Sequence, residues 1–290
     1  MNPLLLSAEF LQQLEILALR IQKTRNLHLA GEQQSEHLGS GLEFHDFAPY
    51  QPGDDYRYVD WNLYSRLGQL FLKKFIEEHD MNIHILLDAS TSMAHFPDKF
   101  RLAAEIAAAI GFLALRQLDK VGAAYVTDTV TRELRPRKGR TQIFRLFDFL
   151  NEPPAMGATD LARVLLQLGY RYKHPGYAVV LSDFFDQNDI EPAVTNLLRR
   201  GWQVLLVHIL SSEEIDPHLD GSVVLVDAES GHRVVIEADT IRDRYQERLQ
   251  QFRDKLASMV SFGAHYVPVS TQDAVTEVIF KAFRAKGVVR

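Results

Sequence analysis

A doubly wound, mainly parallel α/β sheet flanked by helices is predicted by three features of the sequence. Apolar runs at 83–87, 177–181 and 204–209 have the length of strands and lack the alternation of a half-exposed sheet, so they read as strands buried on both faces. Helical patterns separate them, as parallel crossovers require. Oxygen-bearing side chains follow the first two of these strands directly, at what would be the carboxyl edge of the sheet, where such folds bind ligands.

Taken in order, Phe10, Leu14, Leu17 and Ile21 repeat at helical spacing behind Ser7, a suitable N-cap, and predict an amphipathic helix over 8–24. Residues 31–41 are polar and loop-like. Pro52-Gly53 dictates a turn, and Asp54-Asp55 can start a short helical element ahead of Val59 and Trp61. Leu70 to Phe75 reads as a strand that folds back through Glu78-His79-Asp80 to pair with 83–87. An Ala-rich helix over 100–118, a strand over 121–127, and helices over 143–150 and 161–168 follow. After the strand at 177–181 come a helix over 193–200 and the strand at 204–209. The segments 223–226 and 234–236, split by Glu229-Ser230-Gly231, predict a β-hairpin insertion. A charged helix over 241–259, a strand over 265–269 and a helix over 274–283 close the chain. The expected division is an N-terminal helical and β extension over 1–80, packed on a core domain over 81–290.

Composition narrows the function. At 290 residues the chain can bury a sizeable core, and 46% apolar with 24% charged residues is ordinary for a globular protein. With no cysteine, disulfides, thiolate metal sites and thiol nucleophiles are excluded. Neither a basic leader nor an apolar run of spanning length is read, so a cytoplasmic protein without direct membrane insertion is expected. A net charge of −6 argues against non-specific nucleic-acid binding.

The candidate site is built from oxygen donors. Asp88, Ser90 and Ser92 follow the first core strand, Thr159 and Asp160 follow Met156-Gly157-Ala158, and Asp183 follows the strand ending near Leu181. Hydroxyls and carboxylates from three neighbouring strand-end loops suit a hard divalent cation, Mg2+ first, with Mn2+ or Ca2+ as alternatives. The competing structural role for these residues is helix capping, with Ser92 or Asp98 serving the helix that contains Phe100.

Asp88-x-Ser90-x-Ser92 with Thr159 and Asp183 resembles the metal-ion-dependent adhesion site of von Willebrand factor A domains. In that family the metal keeps one coordination position open for a carboxylate of a partner protein. Further blocks resemble one bacterial branch of the fold, the domain of unknown function 58: Gly41-Leu-Glu-Phe44, Tyr50-Gln-Pro-Gly-Asp-Asp-Tyr-Arg57 with Asp60-Trp61, Leu87-Asp-Ala-Ser-Thr-Ser-Met93, Ala158-Thr-Asp-Leu161, Leu181-Ser-Asp-Phe184 and Asp227-Ala-Glu-Ser-Gly231. The resemblance implies a von Willebrand factor A-like domain that works as a metal-dependent protein-interaction module. It also implies a MoxR-type AAA+ ATPase, or its client protein, as partner in chaperone-like assembly.

Other groups carry weaker expectations. Asp54, Asp55, Arg57, Asp60 and Arg66 are expected to form a buried ion-pair network that docks the extension. Arg135, Arg137, Lys138 and Arg140 read as a compact basic loop, either solvated or a patch for an acidic protein surface. His84, inside an apolar strand, is expected to be a hydrogen-bonded core residue. The motifs G-x-x-x-x-G-K-[ST], G-x-S-x-G and H-E-x-x-H are absent. A non-enzyme is therefore expected. The catalytic alternative, a magnesium-dependent phosphatase with an Asp nucleophile, needs a second carboxylate where Ser90 stands. An A-type domain with an empty site is the remaining alternative.

Overall fold

The computed structural model describes residues 12, 14–16, 43–76, 81–152, 156–186, 188–217, 222–226 and 233–285. The described residues of His28–Asp80 form one compact unit and those of the rest of the chain another. Of the helix expected over 8–24, residues 12 and 14–16 are described and helical. The loop expected at 31–41 and the turn at 227–231 lie outside the described residues.

In the smaller unit, β1 (Glu43–Pro49) runs antiparallel to β2 (Phe71–Ile76), with an irregularity between Phe44 and Asp46. A 3-10 turn at Tyr56–Tyr58 and helix α1 (Trp61–Leu67) connect them. Asp60 starts α1, its carboxylate accepting from the backbone N–H groups of Asn62 and Leu63 at 2.9 Å. Gly68 ends it in the left-handed conformation at φ +69°, where a side chain would be strained.

Two expectations fail in this unit. The strand at 71–76 pairs with β1 and not with the first core strand, because both edges of that core strand are occupied by parallel neighbours. The charged turn is no buried network but a set of local contacts. Asp54 accepts from the Gln51 N–H, Asp60 pairs with Lys73 at 3.2 Å, and Asp55 pairs with Arg57 at 2.6 Å while the Arg57 side chain is 73% exposed. An exposed pair two residues apart adds little to stability. Arg57→Ala is therefore expected to leave the thermal midpoint unchanged within error; a clear drop on calorimetric melting would restore a structural role for the guanidinium.

The larger unit is built on a six-stranded sheet ordered β10-β7-β6-β3-β4-β5. Its strands are β3 (Asn82–Asp88), β4 (Lys120–Val126), β5 (Val130–Arg137), β6 (Tyr177–Ser182), β7 (Gln203–Leu210) and β10 (His265–Ser270), and only the β4–β5 pairing is antiparallel. This is the expected doubly wound, mainly parallel class. Successive residues of β3 point to opposite faces. Ile83, Ile85 and Leu87 join the core under α3 (Pro97–Arg116), α4 (Arg140–Asn151) and α9 (Val275–Ala285). Leu86 joins the opposite core under α5 (Leu161–Arg171), α6 (Glu191–Arg199) and α8 (Ala238–Ser258). Strands β8 (Ser222–Val226) and β9 (Arg233–Glu237) form the expected antiparallel hairpin.

Strand β5 is not among the expected elements, and its last residues, Arg135 to Arg137, fall in the stretch expected to be a basic loop. Its polar alternation and Pro136 suit an edge strand, whose outer backbone groups need no ladder partner. The basic residues are therefore not a loop. Arg135 and Arg137 end β5, Lys138 follows, and Arg140 opens α4, all four exposed.

Close packing at the start of β6 sets one test. A Cβ on Gly176 would lie 2.3 Å from the carbonyl oxygen of Asn82, a backbone atom that cannot step aside. Gly176→Ala is expected to cost about 1–3 kcal/mol through overpacking, read as a lower denaturation midpoint; an unchanged midpoint would show that the strand ends are looser than described.

Candidate metal centre

Strand order reverses at β3, whose neighbours are β4 on one side and β6 on the other. A crevice opens at the carboxyl ends of strands at such a point. The register pairs Leu87 with Leu181, so Asp88 at the end of β3 and Ser182-Asp183 at the end of β6 emerge side by side.

Asp88 is wholly buried. Its Oδ1 accepts the Ser90 backbone N–H at 2.8 Å, and its Oδ2 accepts a short hydrogen bond from Ser182 Oγ. Ser90 Oγ lies 3.0 Å from Ser92 Oγ and accepts the Met93 N–H at 3.3 Å, which caps α2 (Thr91–His95). Ser90 is thus both cap and candidate ligand. Helix α3 begins with Phe96 and Pro97 and has no side-chain cap, so neither Ser92 nor Asp98 caps it.

The loop carrying Thr159 is stitched to this edge by backbone bonds: Gly157 N–H to Ala89 O at 3.2 Å, Thr91 N–H to Gly157 O at 3.0 Å and Asp160 N–H to Thr127 O at 3.1 Å. Thr159 stands two residues beyond Gly157 in this loop. Its Oγ1 lies 3.5 Å from Thr127 O, at the long limit of a hydrogen bond. Asp160 caps α5, accepting the Arg163 N–H at 2.9 Å, and serves that helix.

Asp183 is 1% exposed. Its Oδ1 accepts the Phe185 N–H at 3.1 Å and its Oδ2 sits 2.6 Å from Lys99 Nζ. Lys99 has no exposed surface and reaches Glu214 Oε1 at 2.7 Å as well. Lys99, Ser182 and Glu214 were missed in the sequence. Lys99 reads there as an ordinary charge in a first helical turn, and the only local signal for Glu214 is Ser211-x-x-Glu214, the capping box that begins α7 (Ser212–Ile215).

The electrostatics of the site are set by its two buried carboxylates. Burial, and then the charge of Asp183, push the Asp88 carboxyl up to about 7. Two carboxylates held together out of water are unfavourable without compensating positive charge. Among the described residues no group of three or more His, Asp or Glu side chains could hold a metal, so a cation here would rest on the two carboxylates together with hydroxyl oxygens. Each carboxylate oxygen keeps a lone pair beyond the bonds described. This all-oxygen set fits magnesium or another hard divalent cation.

The four basic residues stand elsewhere. Because β5 is antiparallel, Arg137 pairs with Val121 at the start of β4 while Val130 pairs with Val126 at its end, so the cluster lies at the sheet edge opposite Asp88. His84 lines no metal site. It is the core residue expected, packed against the rings of Tyr172 and Trp202 with centroids at 4.2 and 5.3 Å, and its Nε2 has no hydrogen-bond partner.

Solved structures similar to this chain include an aerotolerance-related membrane protein from Bacteroides fragilis, at 14% identity and a TM-score of 0.43 over 70% of this chain and 99% of that one. The protein BatB from Bacteroides thetaiotaomicron matches at 13% identity and 0.43 over 72% and 98%. The VWA domain of SpRpn10 matches at 15% and 0.38 over 69% and 94%. No helix among the described residues is long and apolar enough to cross a membrane. Uncharacterized proteins of Mycobacterium bovis and Mycobacterium tuberculosis are each 28% identical over 282 residues, covering 92% of this chain and 88% of theirs. The family model described as Protein of unknown function DUF58 matches residues 46–255, and the chain belongs to that family.

Proposed function

We propose that this chain is an adaptor that captures an acidic residue of another protein through a divalent cation held by Asp88, Ser90, Ser92, Thr159 and Asp183. The observation that carries the reading is the pair of buried carboxylates at the reversal of strand order, with Ser90 and Ser92 hydroxyls 3.0 Å apart beside them. When bound, the cation supplies an open coordination position for an incoming carboxylate. The chain's own part is to hold the oxygen donors rigidly. Asp88 is fixed by Ser90 and Ser182, and Asp183 by Phe185 and Lys99.

The partner is taken from the family resemblance as a whole, which implies a MoxR-type AAA+ ATPase or its client. Such a motor consumes ATP, so this reading expects the adaptor to work in the cytoplasm. The chain itself contributes capture and no turnover. Arg135, Arg137, Lys138 and Arg140, at the far sheet edge, would speed encounter with an acidic surface and make association sensitive to salt.

Surface plasmon resonance with the cognate ATPase tests this. Binding is expected in magnesium, and its loss in chelator and in Asp183→Ala. Equal binding in magnesium and chelator would contradict the metal bridge, and phosphate-ester turnover lost in Asp88→Ala would move the protein to the hydrolase class.

A further inference from the structure

The least expected group at the site is Lys99. Its ammonium is buried, 2.6 Å from Asp183, 2.7 Å from Glu214 and 3.4 Å from the Ser92 carbonyl oxygen, so its three N–H bonds are all used. The rings of Phe96 and Phe185 lie 5.6 and 5.9 Å from it. A buried ammonium persists only with such pairing. Orienting Asp183 would need one carboxylate, yet there are two. Glu214 is held independently, since its Oε2 accepts the Ser211 N–H at 2.8 Å and its own N–H donates to Ser211 Oγ at 3.1 Å. It therefore keeps its place whether or not the ammonium rests on Asp183.

We infer that Lys99 is a tethered cation that competes with the divalent ion for Asp183, and that Glu214 is the anchor that retains the ammonium when the ion takes that carboxylate. The inference rests on the metal reading of the site and adds its regulation. Two positive charges cannot share Asp183 without repulsion, so ion binding and the Lys99–Asp183 contact oppose one another. In the free protein Lys99 supplies part of the missing positive charge. Affinity for the ion is thereby held down to a level set by how readily the ammonium withdraws to Glu214.

The test is magnesium and manganese titration by calorimetry, with melting curves in chelator, on the wild type, Lys99→Met, Glu214→Gln and the double variant, with Asp88→Ala as control. Lys99→Met is expected to tighten the ion about tenfold and to melt lower than wild type in chelator but not in magnesium. Glu214→Gln, which keeps the ammonium but removes its refuge, is expected to weaken the ion about tenfold alone and to have no effect beside Lys99→Met. Binding by Lys99→Met when the wild type binds nothing would support the inference in its strongest form. Weaker or unchanged affinity in Lys99→Met, with Asp88→Ala abolishing binding, would overturn the competition and leave the metal site standing. No binding by any variant would overturn both. Should Lys99→Met not fold, unchanged or tighter binding in Glu214→Gln would overturn the inference.

Discussion

Asp88→Asn is expected to stabilise the metal-free protein while abolishing its binding of divalent cations. The Asp88 carboxyl is held up to about 7 against its ordinary 3.8, by burial first and by Asp183 second. A raised carboxyl means that the folded state holds a proton that the unfolded chain has released. Stability therefore falls as pH rises between about 4 and 7, and the penalty is complete above that window. The asparagine keeps the oxygen that accepts the Ser90 N–H and removes the charge, relieving on the order of 2–4 kcal/mol at pH 8. At pH 4 the gain should vanish, because Asp88 itself is then protonated. Urea denaturation in chelator at both pH values reads this difference. A destabilised asparagine variant at pH 8 would show that the buried carboxylate is satisfied without a metal, which removes the electrostatic case for the site.

A second large effect belongs to His84, remote in role from the metal centre. Burial pushes its imidazole down to about 4, with Glu133 opposing and Arg171 adding to the shift. Its folded value lies below its unfolded one, so the stability it contributes is present above about 6.5 and lost as pH falls towards 4. The loss amounts to about 3 kcal/mol over that window. His84→Leu, of apolar character against Tyr172 and Trp202, should flatten this part of the acid limb. A residual acid limb is expected from His208, pushed by burial down to about 3. Asp88 acts with the opposite sign over nearly the same range, so the informative quantity is the difference between variant and wild type. If both lose stability in parallel from pH 6.5 to 4, burial of a neutral His84 is not what destabilises the protein in acid.

Much of the fold was legible because its strands are buried on both faces. Runs such as 177–181 and 204–209 leave no ambiguity of register or face, and the sequence places them correctly to within a residue or two. Strand β5 escaped because an edge strand meets water and its residues alternate without a strong apolar signal. The pairing of β2 was misread for a related reason. Nothing local in 70–75 distinguishes a partner at 43–49 from one at 83–87, and only the occupation of both β3 edges decides it.

The site shows the same division. The positions of Asp88, Ser90, Ser92 and Asp183 at the carboxyl edge of the sheet are readable because each follows a strand that can be placed. Lys99 and Glu214 were not, since a lysine two residues after Pro97 and a capping-box glutamate are 115 positions apart and meet only through the fold. The turn at 54–60 was overread in the other direction. Its charges looked like a buried network, yet each is satisfied by a neighbour within its own turn or hairpin.

The claim that this edge of the sheet is a metal centre is tested most directly by magnesium titration calorimetry on wild-type protein and on Asp88→Asn, both shown to be folded. The account predicts saturable binding to a single site in the wild type and none in the variant. Undiminished affinity in Asp88→Asn would contradict it.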